Sequence, residues 1–537
     1  MVRRLIVRAN QKVSFGAAAS LLAASSFVAL LLGMVRELFL ARGFGPTSPE
    51  VAAYKVAFTV PDFMFFLLTS GALAVTFIPV FNERFLKGNK KSSWELSSSI
   101  LNLFGILTFC ASIIIIIFAE PLVKYVVAPG LYQHDQQAAF LAVSMMRIVA
   151  INPLLFSIST VFTSIQQAVG RFFFVSMAPI FYNLAIIIGI VFFAPQSGLN
   201  LGIMGVAVGV VLGSILQLGV SYVGLTGLGF QYRPTIFWRN KGFKKVLRIL
   251  PARSVDQGMD YLQNIVDISL ASRLSVGAIG AYSYAYIIHN VPVTLIGFAL
   301  ATAAYPRLTA RLAQNRPDLF KKDVVKLLRL VIWLALPAVT VTFLLRGYIV
   351  RIINGDGQPQ IAALLGVFAW VVMFRVLYHV LSRCFYAQQD TKTPLYVSVL
   401  TVGMTIGLAV WWSRPENFGV IGLPLAQLVA ATIETIILTT ILQRRFPHLF
   451  DRPFLGALWR MISAFGITFW VTWLLRRELF ELSASDRGFF TLISKLSILG
   501  IVVALVYLVL SWLFRLEEVS PIVNKLKAFV FKPIRLE

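Results

Sequence analysis

Apolar residues in this chain come in long unbroken runs. They follow neither the three-and-four spacing of a soluble amphipathic helix nor the alternation of a half-buried strand. Each run is bounded by a short polar or basic segment, and a helix of about 20 apolar residues crosses the hydrocarbon core of a bilayer. Fourteen such spans are read, over residues 14–42, 52–81, 96–119, 138–165, 172–195, 201–226, 249–274, 278–304, 325–347, 361–387, 394–413, 418–442, 457–475 and 489–514. Several carry internal proline or glycine, which polytopic membrane helices tolerate. The pattern predicts an all-α polytopic membrane protein of about 14 transmembrane helices.

Lysine and arginine orient these spans. They crowd the N-terminal tail (Arg3, Arg4, Arg8, Lys12), the loop with Arg84, Lys87, Lys90 and Lys91, and the stretches Arg233–Arg248 and Arg307–Lys326. Arg444, Arg445, Arg452, Lys525, Lys527, Lys532 and Arg535 continue the series. Loops of the opposite set are sparse: "APQSGLNLG" has no charge and "SRPENFG" a single arginine. An even number of spans with both termini cytoplasmic fits throughout. The opening stretch is read as a retained first span, because its apolar run is too long for a leader and passes through Arg36 without a small-residue cleavage site.

Composition agrees: 58% of the 537 residues are hydrophobic and 13% charged, against about a quarter charged in soluble chains. The net charge of +25 would otherwise raise nucleic acid as a partner, but the basic residues sit in short loops between spans. Cys110 and Cys384 lie in or beside apolar spans, without disulfide or zinc spacing. No extramembrane segment exceeds roughly 30 residues, too few for a soluble catalytic domain of ordinary size. The segment "RPTIFWRNKGFKKVLRIL" reads as a basic amphipathic helix on the inner surface, attracted to anionic lipid.

Charge inside a span is costly, so each such residue is a functional candidate. These are Arg36, Lys55, Asp62, Arg147, Asp256, Asp260, Asp267, Arg375, His379 and Glu434. In span 7, Asp256, Asp260, Gln263, Asn264 and Asp267 fall on one helical face, suited either to pairing with arginines across a cavity or to binding a cation through oxygens. Arg375, His379 and Arg383 form a basic stripe along span 10, with His379 read as an interior histidine.

Spans 2 and 8 share a layout of proline, apolar run, proline and basic exit, in "FTVPDFMFFLLTSGALAVTFIPVFNERF" and "IIHNVPVTLIGFALATAAYPRLTARL". A second pair is "AVGRFFFVSMAPIFYN" and "AQQDTKTPLYVSVLTV". This repeat predicts two pseudo-symmetric six-helix halves around a central cavity, followed by two further helices. The divisions are 1–232, a linker 233–248, a second half 249–445, and 446–537 for the extra helices and basic tail.

The polar turn "FYAQQDTKTP" (385–394) closely resembles the corresponding turn of the MurJ (MviN) family of lipid II flippases, within the multidrug/oligosaccharidyl-lipid/polysaccharide exporter superfamily. "LGMVRELFLARGFG", "FIPVF", "VVAPGL", "AVGRFFFVSMAPIFYN" and "GFALATAAYPRL" match in order along the chain. In the turn itself, Asp390 is placed to cap span 11, Pro394 suits its first turn, and Lys392 meets headgroups. The resemblance implies a carrier for a lipid-linked pyrophosphate glycan, held by cations in a water-accessible cavity. Arg36 matches a family cavity arginine, with Glu37 or a span-7 acid as its partner. Arg147 falls where relatives carry a basic residue, while Arg375 and Lys55 are further cations for the pyrophosphate. Leu30, Phe65 and Ile287 stand where the family pattern places other cavity arginines, and Ala52 where an acidic residue is expected. Asp267 matches a carboxylate that some members use for sodium, and Glu434 is a further candidate, so sodium or a proton is the expected coupling ion, with no cofactor.

The function expected is transfer of lipid II from the inner to the outer leaflet of the bacterial cytoplasmic membrane by alternating access. A monomer working beside cell-wall synthesis enzymes is expected. The alternatives are export of another polyprenyl-linked glycan or amphiphile, which the three absent arginines favour, and a non-transporting cell-envelope scaffold. An enzyme is not expected, since no extramembrane catalytic loop is present.

Overall fold

A computed structural model describes residues 15–69, 72–193, 201–355, 357–483, 486 and 488–520. The described residues are helices and their connections, without a strand. In chain order the α-helices are α1 (Phe15–Phe44), α2 (Pro49–Leu68), α3 (Ala72–Leu86), α4 (Lys90–Pro121), α5 (Pro129–His134), α6 (Gln136–Val149), α7 (Asn152–Ala168), α8 (Phe173–Phe193), α9 (Ile203–Val223) and α10 (Lys241–Leu274). They continue with α11 (Val276–Pro292), α12 (Ala299–Ala313), α13 (Pro317–Leu344), α14 (Arg346–Asn354), α15 (Pro359–Ala387), α16 (Lys392–Trp412), α17 (Gly422–Arg445), α18 (Arg452–Glu478) and α19 (Phe489–Leu513).

Helix makes up most of the described part of each of the fourteen expected spans, and among the described residues thirteen segments are long and apolar enough to cross a bilayer. The seventh span, within α10, is the one outside that set, because its acidic and amide residues lower its hydropathy. Three spans that read as continuous are divided. Span 2 ends its first helix at Leu68, with Thr69 as C-cap. Span 4 breaks between α6 and α7, where Pro153 opens the second helix. Span 8 passes from α11 into a π-helical turn, Val293–Phe298.

That wide turn follows Pro292, and a second one, Leu122–Val127, follows Pro121. Proline has no N–H to give to the preceding turn, and the chain widens to five-residue bonding beyond it; the Ala128 N–H donates to the Val123 carbonyl at 3.0 Å. Gly297 lets this turn press on α15, since a Cβ there would lie 2.9 Å from the Val376 Cα.

The chain forms two compact units, Met1–Gly280 and Ala281–Glu537. In the first, α8 and α9 pack backbone to backbone: a Cβ on Gly209 would lie 2.8 Å from the Gly189 Cα, the small-residue contact by which membrane helices associate. A separate core of Phe77, Phe81, Trp94, Phe104 and Phe243 joins α3 and α4 to the start of α10. In the second unit, α18 and α19 are bound to α13. Trp333 Nε1 donates to Ser511 Oγ at 2.9 Å, and Arg329 meets Glu518 at 2.5 Å and Glu517 at 3.2 Å. Large exposed side chains such as Ile113, Ile117, Trp459 and Trp470 give helices their lipid-facing surface.

Candidate functional site

Charge gathers inside the first unit where α1 meets α2 and α8. Glu37, 6% exposed, is shared by two cations. Arg36 Nη2 donates to its Oε1 at 2.8 Å and Lys55 Nζ to its Oε2 at 2.6 Å. Arg36 Nη1 also donates to Asn183 Oδ1 at 3.2 Å. Asn183 is itself fixed by donating from Nδ2 to the Pro179 carbonyl at 3.0 Å. Lys55 Nζ lies 5.6 Å from the centre of the Tyr54 ring. Asp62, seven residues beyond Lys55 on α2, lies within electrostatic reach of Arg36, as do Tyr54 and Tyr182.

The local sequence explains the arrangement. Adjacent residues on one helix point about 100° apart, so Arg36 and Glu37 meet only because the long arginine turns back on its neighbour. Lys55 and Asp62 are two turns apart on one face. The Arg36 Nε atom is buried without a hydrogen-bond partner, leaving a donor on the guanidinium unused.

A second cluster lies within the second unit, where α15, α16 and α17 meet. Ser398 Oγ donates to Glu434 Oε1 at 2.9 Å, and Arg375 Nη1 stands 3.9 Å from Glu434 Oε2. Tyr378 Oη and Ser398 Oγ are 3.1 Å apart. Nearby, His289 stacks on Phe368 with ring centres 4.3 Å apart, and Arg383 lies over the rings of Phe298 and Tyr386.

The expected residues therefore divide. Arg36 and Lys55 come together, and the partner of Arg36 is Glu37. Arg375 and Glu434 come together as an ion pair. Arg147 is exposed at the end of α6 and makes no hydrogen bond or ion pair with the described residues; it is not joined to the Arg36 cluster. The acidic face of α10 is split: Gln263 and Asp267 are buried, whereas Asp260 is exposed. The Asp256 side chain lies outside the described residues. Among the described residues, no group of three or more His, Cys, Asp and Glu side chains gathers as a metal site would. Asn183, Tyr182, Ser398 and Tyr378 were not singled out by charge. The only available signal is an amide or hydroxyl within an apolar span.

The turn 385–394 is a clasp. Asp390 Oδ1 accepts from the N–H groups of Lys392 and Thr393 at 3.1 and 3.0 Å. Its Oδ2 accepts from Thr393 Oγ1 at 2.6 Å and pairs with Arg445 from the end of α17 at 2.6 Å. Burial pushes the Asp390 carboxyl up, but the Thr393 hydrogen bonds and the Arg445 guanidinium outweigh it and hold it at about 2. Gln388 completes the clasp by accepting from Arg445 Nη1 at 3.1 Å.

The family model described as "Lipid II flippase MurJ" matches residues 40–515. The chain belongs to the lipid II flippase MurJ family. Relatives within that MurJ group include a "Lipid II flippase MurJ" of Burkholderia cenocepacia, 27% identical over 71% of this chain and 75% of its own length. A "Probable lipid II flippase MurJ" of Borreliella burgdorferi is 23% identical over 78% of this chain and 82% of its own. Among solved structures, a MurJ in an inward closed conformation aligns over 92% of this chain and 98% of that one, with a TM-score of 0.75 and 22% identity. An inward-facing multidrug transporter of the MATE family aligns with a TM-score of 0.68 and 16% identity, covering 79% of this chain and 96% of that one. The fold is that of MurJ and the MATE-like transporters, and the chain is a multi-pass membrane protein of a transporter family.

Proposed function

We propose that this chain moves lipid II across the cytoplasmic membrane by alternating access, with both termini on the cytoplasmic side. The carrying observation is a MurJ family match across most of the chain in a protein that gathers the partly buried Arg36 and Lys55 around one buried carboxylate. Arg36 and Lys55, now facing Glu37 with Asp62 nearby, supply the charged donors that would replace water around a pyrophosphate. Arg36 would hold the pyrophosphate through its planar fork, with Lys55 beside it. The clustering of Lys and Arg on one set of loops supports the orientation. The chain would work as a monomer near cell-wall synthesis enzymes, as 1–232 and 249–445 joined by the linker 233–248, with 446–537 added.

Replacing a bacterium's essential lipid II flippase by this chain tests the reading. Rescue of growth that Arg36→Ala abolishes is the expected result. Failure of the unaltered chain to rescue, while present in the membrane, refutes lipid II as cargo.

One observation favours a second reading, export of a different polyprenyl-linked glycan. Phe65 packs against Phe66 and Phe156 at ring distances of 5.2 and 5.5 Å, so an aromatic cluster occupies a place where the family resemblance put an arginine. Competition between lipid II and other lipid-linked glycans for binding separates the two.

The same reading assigns cation coupling to Asp267, a carboxylate 1% exposed on α10 with buried Gln263 one turn before it; carboxylate and amide oxygens are hard donors suited to sodium. Asp267→Asn is expected to abolish the dependence of transport on a sodium or proton gradient, and unchanged dependence removes the assignment.

A further inference from the structure

A cavity of about 630 Å³ lies between α3, α4 and the segment leading into α10, with Arg84, Glu95, Trp238, Arg239 and Lys241 in its lining. We propose that it binds the headgroup phosphate of an anionic phospholipid, with the lipid's glycerol and upper chain against Trp238.

The segment is strapped to α4 by a ladder of side-chain bonds, so its walls are preformed. Asn102 Nδ2 donates to the carbonyls of Arg233 and Thr235 at 2.8 and 3.0 Å. Ser98 and Ser99 accept from the N–H groups of Arg233 and Phe237 at 3.1 and 2.9 Å. Asn240 Nδ2 donates to the Ser92 carbonyl at 3.2 Å. Asn240 also caps α10 by accepting from the N–H groups of Gly242 and Phe243.

Three lining cations face one lining carboxylate, Glu95, a net of +2. Arg84 is held on the inner wall: it donates to the Val80 carbonyl at 2.9 Å, and its guanidinium packs against Gly242, where a Cβ would lie 2.5 Å from Cζ. Arg239 and Lys241 make no hydrogen bond or ion pair with the described residues, so their charges are open to a ligand. The N-terminal end of α10 adds positive potential.

The rim selects a lipid over a soluble anion. Trp238 is 57% exposed beside the cations, and an indole at that level is the residue that membrane interfaces favour. The half-buried Ile236 and Phe237 provide an apolar wall beneath it.

The test uses the full chain in nanodiscs with spin-labelled phosphatidylglycerol, and measures motionally restricted lipid relative to phosphatidylcholine. Arg239→Gln with Lys241→Gln is expected to lower the preference for phosphatidylglycerol by roughly fivefold per cation at low salt. Arg460→Gln, an exposed arginine on α18, is expected to leave it unchanged. A preference equal to wild type in the double variant overturns the proposal. Displacement of the labelled lipid by millimolar inorganic phosphate also overturns it, in favour of a soluble anion. A second measurement leaves the cations intact: phosphatidylglycerol brominated near the headgroup should quench wild-type fluorescence more than that of Trp238→Phe. Equal quenching overturns the lipid contact. Neither assay involves transport, so the result stands whatever cargo the chain carries.

Discussion

Replacing Glu37 by glutamine keeps the shape of the side chain and removes the one charge that two cations share. In the protein, Arg36 and Lys55 each approach that carboxylate within 2.8 Å, so the two positive groups are themselves only a few ångströms apart. Unit charges about 4 Å apart interact by about 4 kcal/mol at an effective dielectric constant near 20. The substitution removes two attractions of that order and leaves the repulsion. After relaxation, breaking a buried pair of this kind costs about 3–5 kcal/mol. Glu37→Gln is therefore expected to unfold at clearly lower denaturant when titrated reversibly with SDS in mixed micelles. Adding Lys55→Met removes the surplus cation and should recover about 2 kcal/mol, the coupling expected of residues in direct contact. A single variant within about 0.5 kcal/mol of wild type, the scatter of independent sites, would refute the shared-carboxylate account. A double variant no more stable than Glu37→Gln would refute it too.

The second cluster predicts parallel behaviour: Arg375→Gln removes the cation that stands 3.9 Å from Glu434 and should lower thermal stability, and Glu434→Gln in the same chain should restore most of it. Gly209→Leu would force α8 and α9 apart by about an ångström or more, the difference between 2.8 Å and an ordinary carbon contact. Loss of monodisperse folded protein on size exclusion is expected, against retention for Gly403→Leu, whose Cβ meets nothing within 4 Å. At the clasp, the Asp390 carboxyl lies at about 2, below its unfolded value near 3.9. Its stabilising contribution is full above the unfolded value and is lost as pH falls from about 4 toward 2. Asp390→Asn should flatten the pH dependence of the melting temperature in that window, and an unchanged slope would show that the clasp does not titrate there.

Much of this was legible because membrane helices announce themselves by length and apolarity. The polarity of α10 marked the seventh span as the one with a face that must find partners. What the sequence did not show was where spans divide. Proline within span 8 gives a wide turn, while span 2 ends its first helix at Leu68, away from Pro61 and Pro79. A hydropathy pattern averages over such breaks. The site was half legible for a similar reason. The cost of burying charge pointed to Arg36, Lys55, Arg375 and Glu434, but Asn183 lies 147 residues from Arg36 and carries no charge to betray it. Arg147 drew attention as a charge within an apolar span, and it lies exposed in the last turn of α6.

The wide turn at 293–298 has a consequence for comparing members of the family. An α-helix advances about 100° per residue, so one residue more or less normally swings everything beyond it to a new face. A π-helical turn holds one residue more in the same advance. Deleting a residue there converts the turn to ordinary α-helix and leaves α12 in register, with Arg307 and Arg311 still aimed at Asp323, which they now meet at 2.6 and 3.1 Å. A single-residue gap at this point in an alignment is thus a local narrowing of the helix, and residues on either side should be matched by face and not by count.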